Sequence, residues 1–407
     1  MENSGNKVLL VFLFLWAVVS CTPILSNPLY YVALLAFTVV MLFVHYPLLR
    51  KQQRLGLGVM SYVALVFIYK LVGYSSAAWG NYMNQLLFFI PMLLMVLVPN
   101  LLSYGQKRKL WWLVVIVMAF NIVDNIRLCI LYPQLNTVSR LYQDEDFLAS
   151  INAGGTPFYT FSLFFFNACF FVFLNCKEKA TKYMALAVAV ISAVYILGYC
   201  LKGSVVVYFL LSLVLQFFAY KTQNTTLFVA VLAISAIVAF VVLNLFKDAI
   251  VDFIISVSPN ERLTTRLVTL VDAENEEANM VTITGRTNLY LLSVETWLSD
   301  IVNFVIGIGD HRAQFGAKAT GISQHADLLD SLARYGLLGL IVLFSIFKNG
   351  FKYLLSLFDK KYKLQLITIF FILIMCGLTK GIFYPNIGCV LFVLLPLCNV
   401  FLKENQQ

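Results

Sequence analysis

The chain has 407 residues, of which 61% are hydrophobic, 15% aromatic and only 12% charged, with a formal net charge of +9. A soluble domain carries about 25% charged residues and could not hide this much apolar surface, 35 phenylalanines included. A soluble fold is therefore excluded, and the chain reads as an integral membrane protein.

Apolar runs of about 20 residues, the length that crosses the hydrocarbon core as a helix, recur from one end to the other. They predict about twelve spans, at 8–25, 29–48, 56–74, 85–104, 110–131, 157–176, 183–200, 203–220, 226–246, 336–352, 364–383 and 386–402. Lipid offers backbone groups no water, so each span should be helical. A β-barrel would instead show short alternating segments, and these runs are continuous. Val18-Val19-Ser20-Cys21 has the look of a lipoprotein cleavage box, but with eleven further spans behind it an uncleaved first helix is the better reading. The eight cysteines all fall in or beside spans and none forms a C-x-x-C pair. They read as small apolar core residues rather than as zinc ligands or a disulfide framework.

Lys and Arg set the orientation. With the N-terminus in the cytoplasm, the inner segments hold 17 of the 29 basic residues: Lys7, Arg50, Lys51, Arg54, Lys107, Arg108, Lys109, Lys177, Lys179, Lys182, Lys221, Lys348, Lys352, Lys360, Lys361, Lys363 and Lys403. Both termini are then cytoplasmic. The net positive charge mainly reflects topology, not nucleic-acid binding.

Two connections are long, and both fall on the outer side: Leu131–Pro157 and Lys247–Tyr335. Long ordered loops are usually functional. The organisation is thus nine spans in 1–246, a large outer loop in 247–335, and three spans in 336–407. Within the large loop, Asp248–Val257 and Asn288–Phe304 mix apolar and polar residues at helical spacing, as helices lying on a membrane or capping a cavity would. The acidic run 272–277 reads as a solvated turn.

Twelve basic residues remain outside the inner segments: Lys70, Arg127, Arg140, Lys202, Lys247, Arg262, Arg266, Arg286, Arg312, Lys318, Arg334 and Lys380. Cations on the outer side or within spans run against the topology bias and cost energy, and an anionic ligand is a good reason for them. Arg127 has Asp124 one turn before it, a pairing that lowers the burial cost. Lys70 and Lys380 sit near the outer ends of their spans, as snorkelling lysines or as ligand-binding ones. Lys202-Gly203-Ser204 joins two spans at the outer surface, where a cation beside a helix N-terminus is either a phosphate site or a snorkelling loop residue.

Ile322–Leu340, ISQHADLLDSLARYGLLGL, gathers titratable groups at the mouth of a span. With Ser323 as cap and a helix from Gln324, Asp327, Asp330, Ser331 and Arg334 share one face. His325 falls on the opposite face with Leu329 and Leu332. The carboxylates are then expected in a wet or paired setting and the histidine towards the interior, either as a structural residue or as a neutral imidazole able to act as a general base. Upstream stand Gly285-Arg286, Trp297 and Gly307-Ile308-Gly309-Asp310-His311-Arg312, in which the two glycines suggest a turn of exposed amides for an anion.

This ordered set (G-R, Trp, G-x-G-D, then H-x-D-x-x-D and Y-G-x-x-G entering a span) resembles the bacterial O-antigen polymerase and ligase superfamily, and within it the repeat-unit polymerases of capsule and O-antigen. The resemblance covers topology over most of the chain, while its specific part is confined to Gly285–Gly339. It implies an all-α, GT-C-like glycosyltransferase in the bacterial inner membrane, acting on oligosaccharides linked to undecaprenyl diphosphate in the periplasm. It puts the catalytic base on His325 and diphosphate binding on Arg286, with Lys202 at the place where members often have Ser-Arg. Arg312 and Arg266 are further candidate diphosphate ligands, and Asp327, Asp310, Lys380 and Lys70 candidate supporting residues. Where a proline often precedes the G-x-G turn, this chain has Val305-Ile306.

The chemistry is self-consistent. Outside the cytoplasm a sugar must arrive already activated. A diphosphate leaving group needs cations, for which the arginine fork is suited, and an acceptor hydroxyl needs a base. No metal site and no cofactor is expected. The expected partners are the lipid-linked glycan, the bilayer and a chain-length regulator protein, with no nucleic acid. A ligase passing finished glycan to a lipid A core or a protein shares the fold. A lipid-linked-oligosaccharide flippase is the reading from another class, although the late long connection breaks the two-half symmetry common in transporters.

Overall fold

The computed structural model describes residues 7–22, 28–71, 79–132, 156–200, 203–222, 283–309 and 326–402, with isolated positions at 224–230 and 322. All regular structure among them is helical. In chain order it comprises α1 (Lys7–Cys21), α2 (Pro28–Val44), α3 (Tyr46–Arg50), α4 (Gln53–Leu71), α5 (Trp79–Leu101), α6 (Tyr104–Leu131), α7 (Thr156–Asn175), α8 (Lys179–Tyr199) and α9 (Gly203–Lys221). After the large connection come α10 (Ile283–Leu298), α11 (Ile301–Ile306), α12 (Asp327–Ser356) and α13 (Lys360–Thr379). The last is α14 (Pro385–Phe401), which carries a π turn at Val390–Leu394 and finishes as a 3-10 turn at Cys398–Phe401.

Six of these helices contain stretches long and apolar enough to cross a membrane: Tyr104–Leu131, Phe158–Asn175, Lys179–Tyr199, Ser204–Lys221, Asp327–Ser356 and Lys360–Thr379. Shorter apolar helices at Lys7–Cys21, Tyr30–Val44, Gln53–Tyr69, Gln85–Leu101 and Pro385–Phe401 accompany them. Among the described residues the chain is all-α, with the long apolar helices of a membrane protein. Most of the run at 226–246 and the amphipathic stretch at 248–257 lie outside the described residues.

α7 is the most enclosed of the six. Its phenylalanines at 158, 161, 164, 165, 166, 170 and 171 are all buried, with Phe161 stacked on Phe165 and Phe166 edge-on to Phe209 of α9. Its two buried or half-buried amides are matched across helices. The Gln216 amide on α9 donates to the Asn167 side-chain oxygen, and Asn175 donates to Gln365 on α13 at 2.9 Å. In lipid such pairs replace water that is not there. α14 lies just as deep. Val390 to Leu397 are almost wholly buried, and α14 as a whole packs against α1, α5, α6 and α7.

α4 and α12 run antiparallel. Gly58 meets Ile346 near one end, and Tyr62 and Tyr69 pack edge-on to Tyr335 towards the other. The basic connections gather at a single end of the bundle. Arg108 before the body of α6 pairs with Glu178 before α8, Asn399 donates to the Leu357 carbonyl, and Arg50–Arg54 share a cavity with Lys352. This is the grouping expected of segments on one side of a membrane.

Candidate functional site

The opposite end of α12 and α13 carries a junction of charged groups. Asp330 is 2% exposed, Arg334 9% and Lys380 6%, and Asp327 is partly buried. Two carboxylates and two cations are formally neutral together, which is how buried charge is tolerated.

Each carboxylate holds backbone. Asp327 Oδ2 accepts from the amides of Ile382 and Phe383 at 2.6 and 2.8 Å, and the Asp327 amide donates to the Lys380 carbonyl at 3.2 Å. The start of α12 is thereby fastened to the turn between α13 and α14, with Lys380 as that turn's first residue. Asp330 accepts from the Ser293 hydroxyl of α10 at 2.8 Å and from the Ala326 amide at 3.3 Å. Tyr290, one turn before Ser293, donates to the Thr379 carbonyl at 2.9 Å, while the Tyr208 and Thr379 hydroxyls meet at 2.7 Å. Helices α9, α10, α12 and α13 thus converge on one polar layer.

The described helix begins at Asp327, with Ala326 in non-helical backbone as its cap and the Asp330 carboxylate accepting from the Ala326 amide; the expected Ser323 cap and Gln324 start lie outside the described residues. The acidic face is not wet. Asp330, Ser331 and Arg334 are buried while Leu329 and Leu332 are half-buried, so the paired alternative is the one realised.

Gly307-Ile308-Gly309 is not a turn of free amides. α12 breaks at Gly336, where φ is 58° and ψ −158°, and the break releases the carbonyls of Ala333 and Arg334 from the helical ladder. Ile308 N donates to Ala333 O at 2.9 Å, Gly309 N to Arg334 O at 3.0 Å, and Gly307 N to Asn303 O at 2.9 Å. All three amides are taken, and an anion nest is ruled out at this turn. Both Gly307 and Gly336 have positive φ, and a Cβ on either would lie within 2.6 Å of the other segment's backbone. Only glycine fits at this crossing.

The Asn288–Phe304 stretch is helical as expected, but it is two helices. Asp300 caps α11 through the amides of Val302 and Asn303. Trp297 is part of the corner, its indole N–H donating to Phe304 O at 3.0 Å and its ring stacked on Phe304. Tyr69 at the end of α4 donates to the Ile306 carbonyl, and Tyr335 to Gln85 at 3.3 Å.

Arg286 falls on the first turn of α10, and Lys70 on the last turn of α4. His325, Lys202, Arg312, Arg266 and Asp310 lie outside the described residues. Asp327 and Lys380 are brought together, with Asp330 and Arg334 alongside. Sequence reasoning passed over Tyr290, Ser293, Tyr208 and Thr379. The signal for the first two was Y-x-x-S, which puts two hydroxyls on one face of α10. Arg127 pairs with Asp124 at 2.8 Å as its spacing suggested. Among the described residues no group of three or more His, Cys, Asp or Glu side chains gathers. No family model matches this sequence, and no curated protein matches it.

Proposed function

We propose that the chain is a repeat-unit polymerase of a surface polysaccharide, a GT-C-like glycosyltransferase that moves a growing glycan from undecaprenyl diphosphate onto the next lipid-linked unit. On this reading the twelve apolar runs are twelve spans in the bacterial inner membrane. The basic connections and both termini are cytoplasmic, and 247–335 is periplasmic. The observation that carries it is the charged junction. At the end of the bundle away from the basic connections, Asp330, Arg334 and Lys380 are buried and Asp327 is partly buried, with Asp327 two residues after His325 in the chain and the two carboxylates bonded to the turn after Lys380 and to Ser293 of the helix that bears Arg286. Buried ionisable groups at a membrane surface mark a functional site by default.

In the proposed step the acceptor hydroxyl attacks the anomeric carbon and gives its proton to the His325 imidazole. The bond from that carbon to the diphosphate oxygen breaks, its electron pair leaves on the diphosphate, and the anomeric centre inverts. Arg286, with Lys202, Arg266 and Arg312, offsets the charge of the leaving diphosphate. Asp327 is a positioning residue, since its carboxylate holds the Lys380–Phe383 turn.

The test is a gel of surface polysaccharide from a strain lacking the gene, complemented with wild type or His325→Ala at matched membrane levels. The expected result is a ladder with wild type and a single repeat unit with the variant. Loss of all transferred glycan, with long chains still on the carrier, identifies a ligase instead. A normal ladder with the variant removes His325 as the base, and a ladder unaffected by loss of the gene removes the polymerase reading. Arg286→Lys is expected to impair laddering as well, because it keeps the charge and loses the fork.

A further inference from the structure

At the basic end of the bundle, α3, the start of α4 and the last turns of α12 line an open cavity of about 430 Å³. Arg50, Lys51, Arg54 and Lys352 line it together with Asn349 and Ser356, and no carboxylate does. None of the four cations forms an ion pair or a side-chain hydrogen bond with a described residue. Four like charges facing one cavity repel each other, and an anion is what relieves that repulsion.

Backbone dipoles do not oppose such an anion. The C-terminal turn of α12 brings roughly half a negative charge, and the N-terminal turn of α4 roughly half a positive one, so the side chains decide the sign. The next turns of the same helices expose Leu57, Met60 and Phe344, so the cavity sits where headgroup region passes into hydrocarbon. A soluble anion gains nothing from that apolar border, whereas a lipid with two acyl chains does. We infer that this cavity binds the phosphate headgroup of an anionic phospholipid, with the guanidinium forks of Arg50 and Arg54 on the phosphate and the acyl chains along α4 and α12. Basic pockets between membrane helices are suited to such headgroups. Because α12 runs unbroken from this cavity to Gly336, the lipid fastens the far end of the helix that carries the charged junction.

The test uses the full chain in neutral detergent, titrated with phosphatidylglycerol, phosphatidylcholine or inorganic phosphate, and read by native mass spectrometry and thermal unfolding. Phosphatidylglycerol should be retained and raise the unfolding temperature, and the other two should do neither. Arg50→Gln/Arg54→Gln/Lys352→Gln should weaken phosphatidylglycerol binding on the order of 100-fold. Lys360→Gln/Lys361→Gln, on nearby cations outside the cavity, should leave it within about threefold. If the triple variant does not fold, Lys352→Glu alone should weaken binding about tenfold or more without moving the unfolding temperature in phosphatidylcholine. Equal binding of phosphatidylcholine, equal loss in the Lys360/Lys361 control, or unchanged binding in the cavity variants overturns the assignment. Saturation by millimolar inorganic phosphate in place of the lipid also overturns it and points to a soluble phosphate instead.

Discussion

The interior around α7 and the junction at the head of α12 both bury polar groups in an apolar protein, and they do so in opposite ways. Around α7 the backbone satisfies itself in unbroken helices, and the buried amides bond to helix carbonyls and to one another across helices. Neutral amides meet neutral amides, Asn167 with Gln216 and Asn175 with Gln365. At the junction the helices are interrupted, and the freed backbone needs partners. There the charged side chains bond to main chain: Asp327 to the amides of Ile382 and Phe383, Asp330 to the amide of Ala326. Neutral pairs fix one helix against another, whereas charges hold a broken backbone in shape, which is what a site with a defined geometry needs.

The largest effect that separates the two regions is expected from Asp330→Ala. It strips Ser293 and the Ala326 amide of their acceptor, at a cost of about 1–3 kcal/mol for each. Thermal unfolding in detergent measures it, and a loss no greater than that of a neutral amide variant would erase the distinction. Next comes Gly336→Ala, which places a methyl group against the Val305 carbonyl at a positive φ and should cost about 1–3 kcal/mol. Hydrogen exchange should show the amides of Ile308 and Gly309 losing protection while α7 keeps its own. The smallest effect is expected inside the bundle. Asn167→Leu alone takes the side-chain acceptor from Gln216 and should cost about 1 kcal/mol, and Asn167→Leu/Gln216→Leu should recover most of that. A double variant worse than the single would mean that the interior pair is tied to more than its two helices.

Most of the helical scaffold could be read from the sequence because apolar run length is a local property. The head of α12 could be read in part: the apolar run is expected from 336 and a helix ahead of it from Gln324, and the described helix starts at Asp327. What spacing does not show is that the charges breaking the apolar pattern find partners as distant as Ile382 and Phe383. The shared face of Asp327, Asp330 and Arg334 was visible from spacing, while its burial depended on Ser293 and on a turn more than fifty residues downstream. The two glycines at 307 and 309 carried a real signal that was read for the wrong purpose. The amides of Ile308 and Gly309 answer carbonyls released at Gly336, and no rule of spacing links a G-x-G to a helix break 27 residues later.

α14 has a consequence in time rather than in energy. It is among the deepest helices of the bundle, enclosed by α1, α5, α6 and α7, yet it is synthesised after all four. Chains build from the N-terminus, so these helices enter the bilayer around a gap that lipid tails must fill until α14 arrives. The bundle therefore cannot reach its final packing before α14 has left the ribosome.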